Sequence, residues 1–292
     1  MRIANNWKDY ELLDATDGER LERWGDCILI RPDPQIIWST GKRHPLWNNA
    51  HARYHRSRTG GGEWETYQKL PDVWEIGYRC QGNDLRFRLK PMGFKHTGLF
   101  PEQAVNWDKM AKWIAETDRP LRVLNLFGYT GAATLACAAA GAHVTHVDAS
   151  KGMVAWGKEN AVSSRLDDRP MRWLVDDCLK FVQREQRRGN TYDAIVMDPP
   201  SYGRGPGGEV WKLEEQVFDL VRECAALLSD TPLFFLINSY TTGLSPSVMQ
   251  YLLSSLIVPR FGGVTSADEI GLPVTESGLV LPCGATAMWK VR

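Results

Sequence analysis

The chain has 292 residues, with 35 Lys+Arg balanced by 35 Asp+Glu, and 43% of its residues are hydrophobic. That composition excludes a disordered or fibrous protein, and no run reaches the roughly 18 apolar residues a membrane helix needs. The opening MRIANNWKDYELLD holds no apolar stretch of the kind a secretory signal requires, so a soluble, cytoplasmic protein of one or two domains is expected.

Residues 1–94 predict a small, mainly-β domain with strands at 10–14, 20–24, 27–31, 73–79 and 84–90. The last two flank Gln81-Gly82-Asn83, the chemistry of a hairpin turn. Residues 41–62, GKRHPLWNNAHARYHRSRTGGG, show neither the helical nor the strand period and predict a long loop. From 95 to 292 strands and helices alternate. A helix at 101–116, started by a proline, precedes strands at 122–126, 143–147, 171–175, 194–197 and 233–237. Helices are predicted at 131–140, 151–160, 178–187 and 212–228, and at 245–256 with Ser245 as its cap. Two closing strands follow, near 264–270 and 279–290. Five successive βα units imply a parallel, doubly wound sheet, and the short last connection suits an antiparallel pair added at its edge. The six cysteines form no C-x-x-C pair and none has a zinc spacing to His, which predicts reduced, buried thiols and no metal site.

Ligands of a doubly wound sheet bind outside the carboxyl ends of its strands. The first strand runs through Asn125-Leu126-Phe127-Gly128-Tyr129-Thr130-Gly131 into an Ala-rich helix. Its glycines allow a sharp turn and close approach to a ligand, although a G-x-x-G spacing also fits a plain βα connection. The second strand ends at Asp148, 17 residues beyond Gly131, where a carboxylate either accepts both hydroxyls of a ribose or caps a helix. Asp176-Asp177 after the third strand are acceptors for an exocyclic amine or, again, a helix cap. The fourth strand ends in Asp198-Pro199-Pro200-Ser201-Tyr202-Gly203. Consecutive prolines fix the backbone and donate no hydrogen bond, so a carboxylate and an aromatic are held on a stiff turn.

Together these strand ends resemble the class I S-adenosylmethionine-dependent methyltransferases over residues 95–292. The more particular resemblance is to the large-subunit ribosomal RNA methyltransferase-like family that includes cytosine-C5 enzymes. It rests on Lys95-His96-Thr97-Gly98-Leu99-Phe100-Pro101-Glu102-Gln103, VLNLFGYTG at 123–131, VDAS at 147–150 and MDPPSYGRG at 197–205. The segment YELLDATDGERLERWGDCILIRPDPQIIW is similar to the small β-domain that precedes the catalytic domain in some such proteins. The resemblance implies a doubly wound, seven-stranded, Rossmann-like methyltransferase sheet behind a small β-rich N-terminal domain, with S-adenosylmethionine as cofactor. It implies that Phe127, Gly128, Tyr129, Thr130 and Gly131 wrap the methionine part, that Asp148 holds the ribose and that Asp177 contacts the adenine amine. Asn125, Ser150 and Asp176 join these as cofactor residues, and Thr97, Phe100 and Gln103 close over the same cofactor.

One position departs from the cytosine-C5 pattern. Enzymes of that kind place a nucleophilic Cys just after the fifth strand, because C5 becomes nucleophilic only after a thiolate adds to C6. Here the segment reads Phe235-Leu236-Ile237-Asn238-Ser239-Tyr240, and Asn238 stands where the thiol belongs. No Cys follows Asp198-Pro199-Pro200, and Cys283 falls inside the last apolar strand. The expected chemistry is direct transfer to a ring nitrogen, amine or oxygen. Asp198 and the Pro199 and Pro200 carbonyls then accept from an exocyclic amine, while Tyr202 either stacks on a flipped-out base or packs as a loop aromatic.

The neutral total hides a partition. Residues 1–98 carry 16 Lys+Arg against 13 Asp+Glu, and residues 99–292 carry 19 against 22. The stretch 41–58 holds Lys42, Arg43, Arg53, Arg56 and Arg58 without an acid, interleaved with Trp47 and Tyr54. Arg53, Arg56 and Arg58 are candidate phosphate contacts for RNA, or they pair with acids elsewhere. An RNA methyltransferase, a methyltransferase for a protein or small molecule, and a non-catalytic cofactor-binding protein all remain compatible with the sequence.

Overall fold

The computed structural model describes residues 1–57, 61–204, 210–241 and 243–292. They divide into two compact units, one of residues 2–105 with 270–283 and one of residue 1, 106–269 and 284–292.

The smaller unit begins with β1 (Arg2–Ile3), which pairs in parallel with Ile270 and Gly271. Strands β2 (Tyr10–Thr16), β3 (Glu19–Trp24), β4 (Cys27–Pro32), β5 (Ala52–Arg56) and β6 (Gly62–Thr66) form a sheet in that order, antiparallel except between β4 and β5. The predicted hairpin is β7 (Trp74–Cys80) and β8 (Asn83–Leu89). Its two-residue turn, Gln81-Gly82, has both φ values positive (46° and 86°), the turn that follows the right-handed twist of paired strands. Glu22 is fully buried, 2.5 and 2.7 Å from the Arg31 guanidinium and 2.8 Å from the Tyr10 hydroxyl. Burial alone would raise its carboxyl, but Arg31 and then Arg20 outweigh this and hold it below the usual carboxylate range. Removing one partner of such a pair strands a buried charge, at a cost of about 3–5 kcal/mol. Arg31 also donates to the Lys95 carbonyl at 3.1 Å, fixing the start of the segment that runs to Gln103.

The expected loop at 41–62 is instead partly ordered into a short 3-10 helix (Pro45–Asn48) and strand β5, which pairs with β6. The strand period is present but concealed: Ala52 and Tyr54 are buried, while the alternate positions Arg53 and His55 carry charge or polarity. Trp47 packs with Leu13, Leu21, Ile28, Ile30 and Ala50, and its indole donates to Asp14 at 2.7 Å. Tyr54 donates its hydroxyl to the Gly93 carbonyl at 3.3 Å. Both aromatics are therefore core residues and not stacking platforms for a base.

The larger unit contains α1 (Ala104–Ala115), β9 (Arg122–Leu126), α2 (Ala132–Ala139), β10 (His143–Asp148), α3 (Lys151–Ser163), β11 (Met171–Val175) and α4 (Cys178–Arg187). It continues with β12 (Ala194–Met197), the hairpin strands β13 (Tyr202–Arg204) and β14 (Val210–Lys212), α5 (Leu213–Ala225) and β15 (Phe234–Ser239). Helices α6 (Pro246–Leu256) and α7 (Val258–Phe261) then lead to β16 (Val264–Pro273) and β17 (Val280–Lys290), strands shared with the smaller unit. The sheet has eight strands in the order β1-β16-β17-β15-β12-β9-β10-β11, the seven expected and the short β1 at the edge, with β9, β10, β11, β12 and β15 parallel and β17 antiparallel to β15. This is the doubly wound sheet expected from the sequence. Every residue of β12 and β15 is buried, as strands covered on both faces must be. The core beneath them includes Leu126, Phe181, Ile195, Met197, Phe235, Ile237 and Trp289.

Three local expectations change. Pro101–Gln103 makes a 3-10 turn ahead of α1 instead of one continuous helix, Ser245 precedes α6 without a side-chain capping bond, and the β13–β14 hairpin has no counterpart in the sequence pattern. Among the described residues no helix is long and apolar enough to cross a membrane. The topology does the most for function at one place. The chain lays β10 and β11 on one side of β9 and then returns to lay β12 and β15 on the other, so the order reverses at β9 and β12. Sheets of this kind bind ligands outside the carboxyl ends of the strands at that switch point.

Candidate functional site

The turn after β9 has a constrained backbone. Phe127 and Tyr129 hold φ values of 56° and 51°, a region that costs a non-glycine residue about 1–3 kcal/mol and persists only when its surroundings enforce it. The enforcement is visible. The Phe127 N–H donates to Cys178 Sγ at 3.3 Å, that of Gly128 to the Val147 carbonyl at 3.1 Å and that of Gly131 to the Gly128 carbonyl at 2.9 Å. Asn160, buried on α3, donates to the Thr130 carbonyl at 2.9 Å.

The glycines are required by what lies under the turn. A Cβ on Gly128 would stand 2.3 Å from the His146 ring, and Gly131, at φ 86°, would bring one to 3.0 Å from Trp173. The expected Asn125 is buried here: its side-chain amide donates to Thr134 Oγ1 at 2.9 Å, and Thr134 lies 2.9 Å from His146 Nδ1. Burial pulls the His146 imidazole down to about 3, so it is neutral.

Asp148, at the end of β10, fastens the first two strand ends together. One carboxylate oxygen accepts the Tyr129 N–H at 2.9 Å and the other the Ser150 N–H at 2.8 Å. Burial raises its carboxyl, and the two backbone donors oppose that rise. A carboxylate offers about four lone-pair sites, so both oxygens keep acceptor capacity for the hydroxyl donors of a ribose, which this donor set fits. Ser150 caps α3 by accepting from Met153 N at 3.4 Å. Asp177 caps α4, accepting the Lys180 N–H at 2.8 Å, and Asp176 is ion-paired with Arg184. The helix-cap reading of Asp177 is thus realised in the fold, and Asp176 already has a cation.

The turn after β12 carries the second half of the site. Asp198 is half-buried and Oδ1 accepts the Asn238 side-chain amide at 3.0 Å, across the parallel pair in which Met197 lies opposite Ile237. Pro199 is buried and Pro200 exposed. The Pro200 carbonyl accepts the Trp211 indole N–H at 2.6 Å, so it is already engaged, and Trp211 also stands 6.2 Å from the Phe127 ring. The Ser201 hydroxyl accepts from Thr241 at 2.6 Å, and the Leu213 N–H donates to the Ser201 carbonyl at 3.1 Å. Tyr202 opens the β13–β14 hairpin and is 54% exposed, which fits an aromatic face offered to a base and not one packed in the core. Asn160, Trp211 and Thr241 therefore serve the site although sequence spacing does not associate them with it, and Asn238, singled out in the sequence only for standing in place of a thiol, is a partner of Asp198. Gly205 of the MDPPSYGRG motif lies outside the described residues.

The remaining candidates belong to the smaller unit. Thr97 and Gln103 are buried, the Thr97 hydroxyl has no hydrogen-bond partner among the described residues, and the Phe100 ring lies tilted 5.0 Å from that of His96, whose imidazole burial lowers to about 3. Arg53 pairs with Glu19 at 2.7 Å, and so does Lys42. Arg56 is exposed, and Arg58 lies outside the described residues. The acid-free stretch is thus partly neutralised by an acid on β3.

All six cysteines are buried and unbridged. Burial drives the Cys27 thiol up to about 11 and Cys137 up to about 12, and raises Cys178, Cys224 and Cys283 as well. Thiols held protonated in this way are poor nucleophiles.

A family model described as S-adenosylmethionine-dependent methyltransferase matches residues 37–243. Ribosomal RNA large subunit methyltransferase K/L of Shewanella baltica is 32% identical over 164 residues, covering 56% of this chain and 21% of that protein. The protein of the same name from Marinobacter nauticus is 33% identical over 187 residues, 63% of this chain and 24% of its own length. The chain thus spans about a quarter or less of these curated relatives. The crystal structure of the SAM-dependent methyltransferase from Agrobacterium tumefaciens has a TM-score of 0.90 at 37% identity, covering 98% of this chain and 91% of that one.

Proposed function

Because the chain belongs to the S-adenosylmethionine-dependent methyltransferase family, we propose that it methylates a nitrogen of a base in RNA, with ribosomal RNA as the first candidate. The observation that carries this reading is the pair of strand ends, of β10 and β12, on either side of β9. One presents the Asp148 carboxylate, fastened to Tyr129 and Ser150, and the other presents Asp198 on a doubly proline-stiffened turn. The names of the Shewanella and Marinobacter relatives support RNA as the acceptor.

S-adenosylmethionine, when bound, supplies an electrophilic methyl group on a sulfonium. The chain's own residues hold and align. Asp148 takes the ribose hydroxyls, and Phe127, Gly128, Tyr129, Thr130 and Gly131 line the methionine end. Asn125, Ser150 and Asp176 act from behind, through the bonds that shape these loops, while Asp177 is retained as an adenine contact. The assignment of Thr97, Phe100 and Gln103 rests on the Lys95–Gln103 segment alone. Asp198 and the Pro199 carbonyl accept from an exocyclic amine of the base and so fix the attacking nitrogen, with Tyr202 stacking on the ring. Positioning of this kind lowers a bimolecular barrier by several kcal/mol without a covalent intermediate. A base in a helix must leave its stack to reach such a site, at a cost of a few kcal/mol.

The buried, protonated thiols and Asn238 at the position of the missing cysteine favour nitrogen over C5 as the target. The smaller unit, with Arg56 and Arg58, is assigned to holding RNA in the cytoplasm. The test is transfer of tritiated methyl to RNA from a strain lacking the protein, beside protein extract from the same cells. Label confined to RNA, in a nucleoside methylated at nitrogen, is expected. Label in protein alone refutes the reading.

A further inference from the structure

Three buried polar side chains converge on Asp198. Asn238 and Thr286 stand opposite each other in the antiparallel pair of β15 and β17, and Asn106 reaches them from α1. Their exposures are 0%, 0% and 1%. Asn106 Nδ2 donates to Thr286 Oγ1 at 3.0 Å, Thr286 Oγ1 donates to Asn238 Oδ1 at 2.7 Å, and Asn238 Nδ2 donates to Asp198 Oδ1 at 3.0 Å. The direction of this chain follows from its acidic end. A carboxylate only accepts, so Asn238 turns its N–H to Asp198 and its oxygen to Thr286. The single Thr286 proton therefore goes to Asn238 Oδ1, and the Thr286 oxygen accepts from Asn106. Each buried group would cost about 1–3 kcal/mol if left unpaired, so the relay resists any other orientation.

We propose that Asn238, aligned by Thr286 and Asn106, is a positioning residue that sets the Asp198 carboxylate as an acceptor for an N–H donor on the substrate. The inference rests on the role given to Asp198 above and deepens it. A fixed N–H aimed at Oδ1 makes that oxygen an acceptor and prevents rotation of the carboxylate away from the turn. The exocyclic amine of a base is a group that such a carboxylate receives. Asn238 thus does a different job from the thiol that the cytosine-C5 enzymes carry at the corresponding place: it holds the Asp198 carboxylate.

The test compares Asn238→Ala, Thr286→Val and Thr286→Ser with wild type in single-turnover methyl transfer to RNA from the deletion strain. Affinity for S-adenosylhomocysteine is measured by calorimetry alongside thermal midpoints. Asn238→Ala and Thr286→Val are expected to slow transfer 10- to 100-fold with cofactor affinity within twofold of wild type. Thr286→Ser, which keeps the hydroxyl, restores most of the rate lost in Thr286→Val. Transfer by Asn238→Ala within threefold of wild type overturns the inference, as does loss of rate that merely tracks loss of cofactor affinity or of folded protein. A second arm needs no substrate. The Asn238 side-chain amide signals, identified by their absence in Asn238→Ala, should outlast exposed side-chain amides in D2O and shift in both Thr286→Val and Asp198→Asn. Rapid exchange, or signals unmoved by either substitution, refutes the relay even if the wild type labels no RNA. Absence of wild-type labelling by itself refutes only the functional reading.

Discussion

The backbone N–H of Tyr129 donates to Asp148 Oδ2 at 2.9 Å, so one carboxylate at the end of β10 holds the strained turn at the end of β9. The same carboxylate is the proposed ribose acceptor, which couples the shape of the turn to cofactor binding. Asp148→Asn replaces one acceptor oxygen by an NH₂ group facing a backbone donor. Affinity for S-adenosylhomocysteine is expected to fall at least 30-fold, with a loss of stability of about 1–3 kcal/mol from the unpaired backbone group. Calorimetry and urea unfolding measure the two effects, and affinity within threefold of wild type contradicts the assignment.

His146 makes stability depend on pH. Its folded value of about 3 lies below the ordinary 6.5, so the unfolded chain takes up the proton first as pH falls. The stability it contributes is complete above pH 6.5 and is lost between 6.5 and about 3, at about 1.4 kcal/mol per pH unit. His96 is lowered in the same way and adds its own slope, so the comparison must be between wild type and variant. His146→Gln is expected to flatten the fall in urea midpoint between pH 7 and 5. An unchanged slope contradicts the buried, neutral imidazole.

Arg53 and Arg56 of the basic stretch should behave differently. Arg53 is held by Glu19, whereas Arg56 is exposed. If RNA contacts this surface, Arg56→Ala lowers the slope of log affinity against log salt by about 0.7, the value for one phosphate contact on a single strand. Arg53→Ala changes that slope less. Filter binding across a salt series reads both, and equal slopes for wild type and Arg56→Ala remove Arg56 from the interface.

The sheet was legible because its signals are local. The strands 122–126, 171–175 and 194–197 and the helix 178–187 have the predicted bounds, being short apolar runs or amphipathic turns closed by Gly, Asp or Pro. Strand β5 was not legible because its outward positions are Arg and His and one of its inward positions is only Ala. Trp47 and Tyr54 looked free only while their surroundings were unknown; Leu13, Ile28 and Gly93 lie far from them in sequence and close in the fold. The same holds within the site. Asp148 and Asp198 announce themselves at strand ends, but the partners that orient them do not. Thr286 is 48 residues from Asn238, and Asn238 is 40 from Asp198, separations over which a single sequence carries no pairing signal. Gly128 was legible as a necessity but for another reason than ligand approach, since His146 occupies the space beneath it.

The central claim is that Asp198 fixes the acceptor base for methyl transfer. Its most direct test is single-turnover transfer of tritiated methyl to RNA from the deletion strain by wild type and Asp198→Ala, with cofactor affinity and thermal midpoint measured on the same preparations. Asp198→Ala is expected to lose at least 100-fold in transfer while binding S-adenosylhomocysteine within threefold of wild type and melting as a folded protein. Full transfer by Asp198→Ala would contradict it.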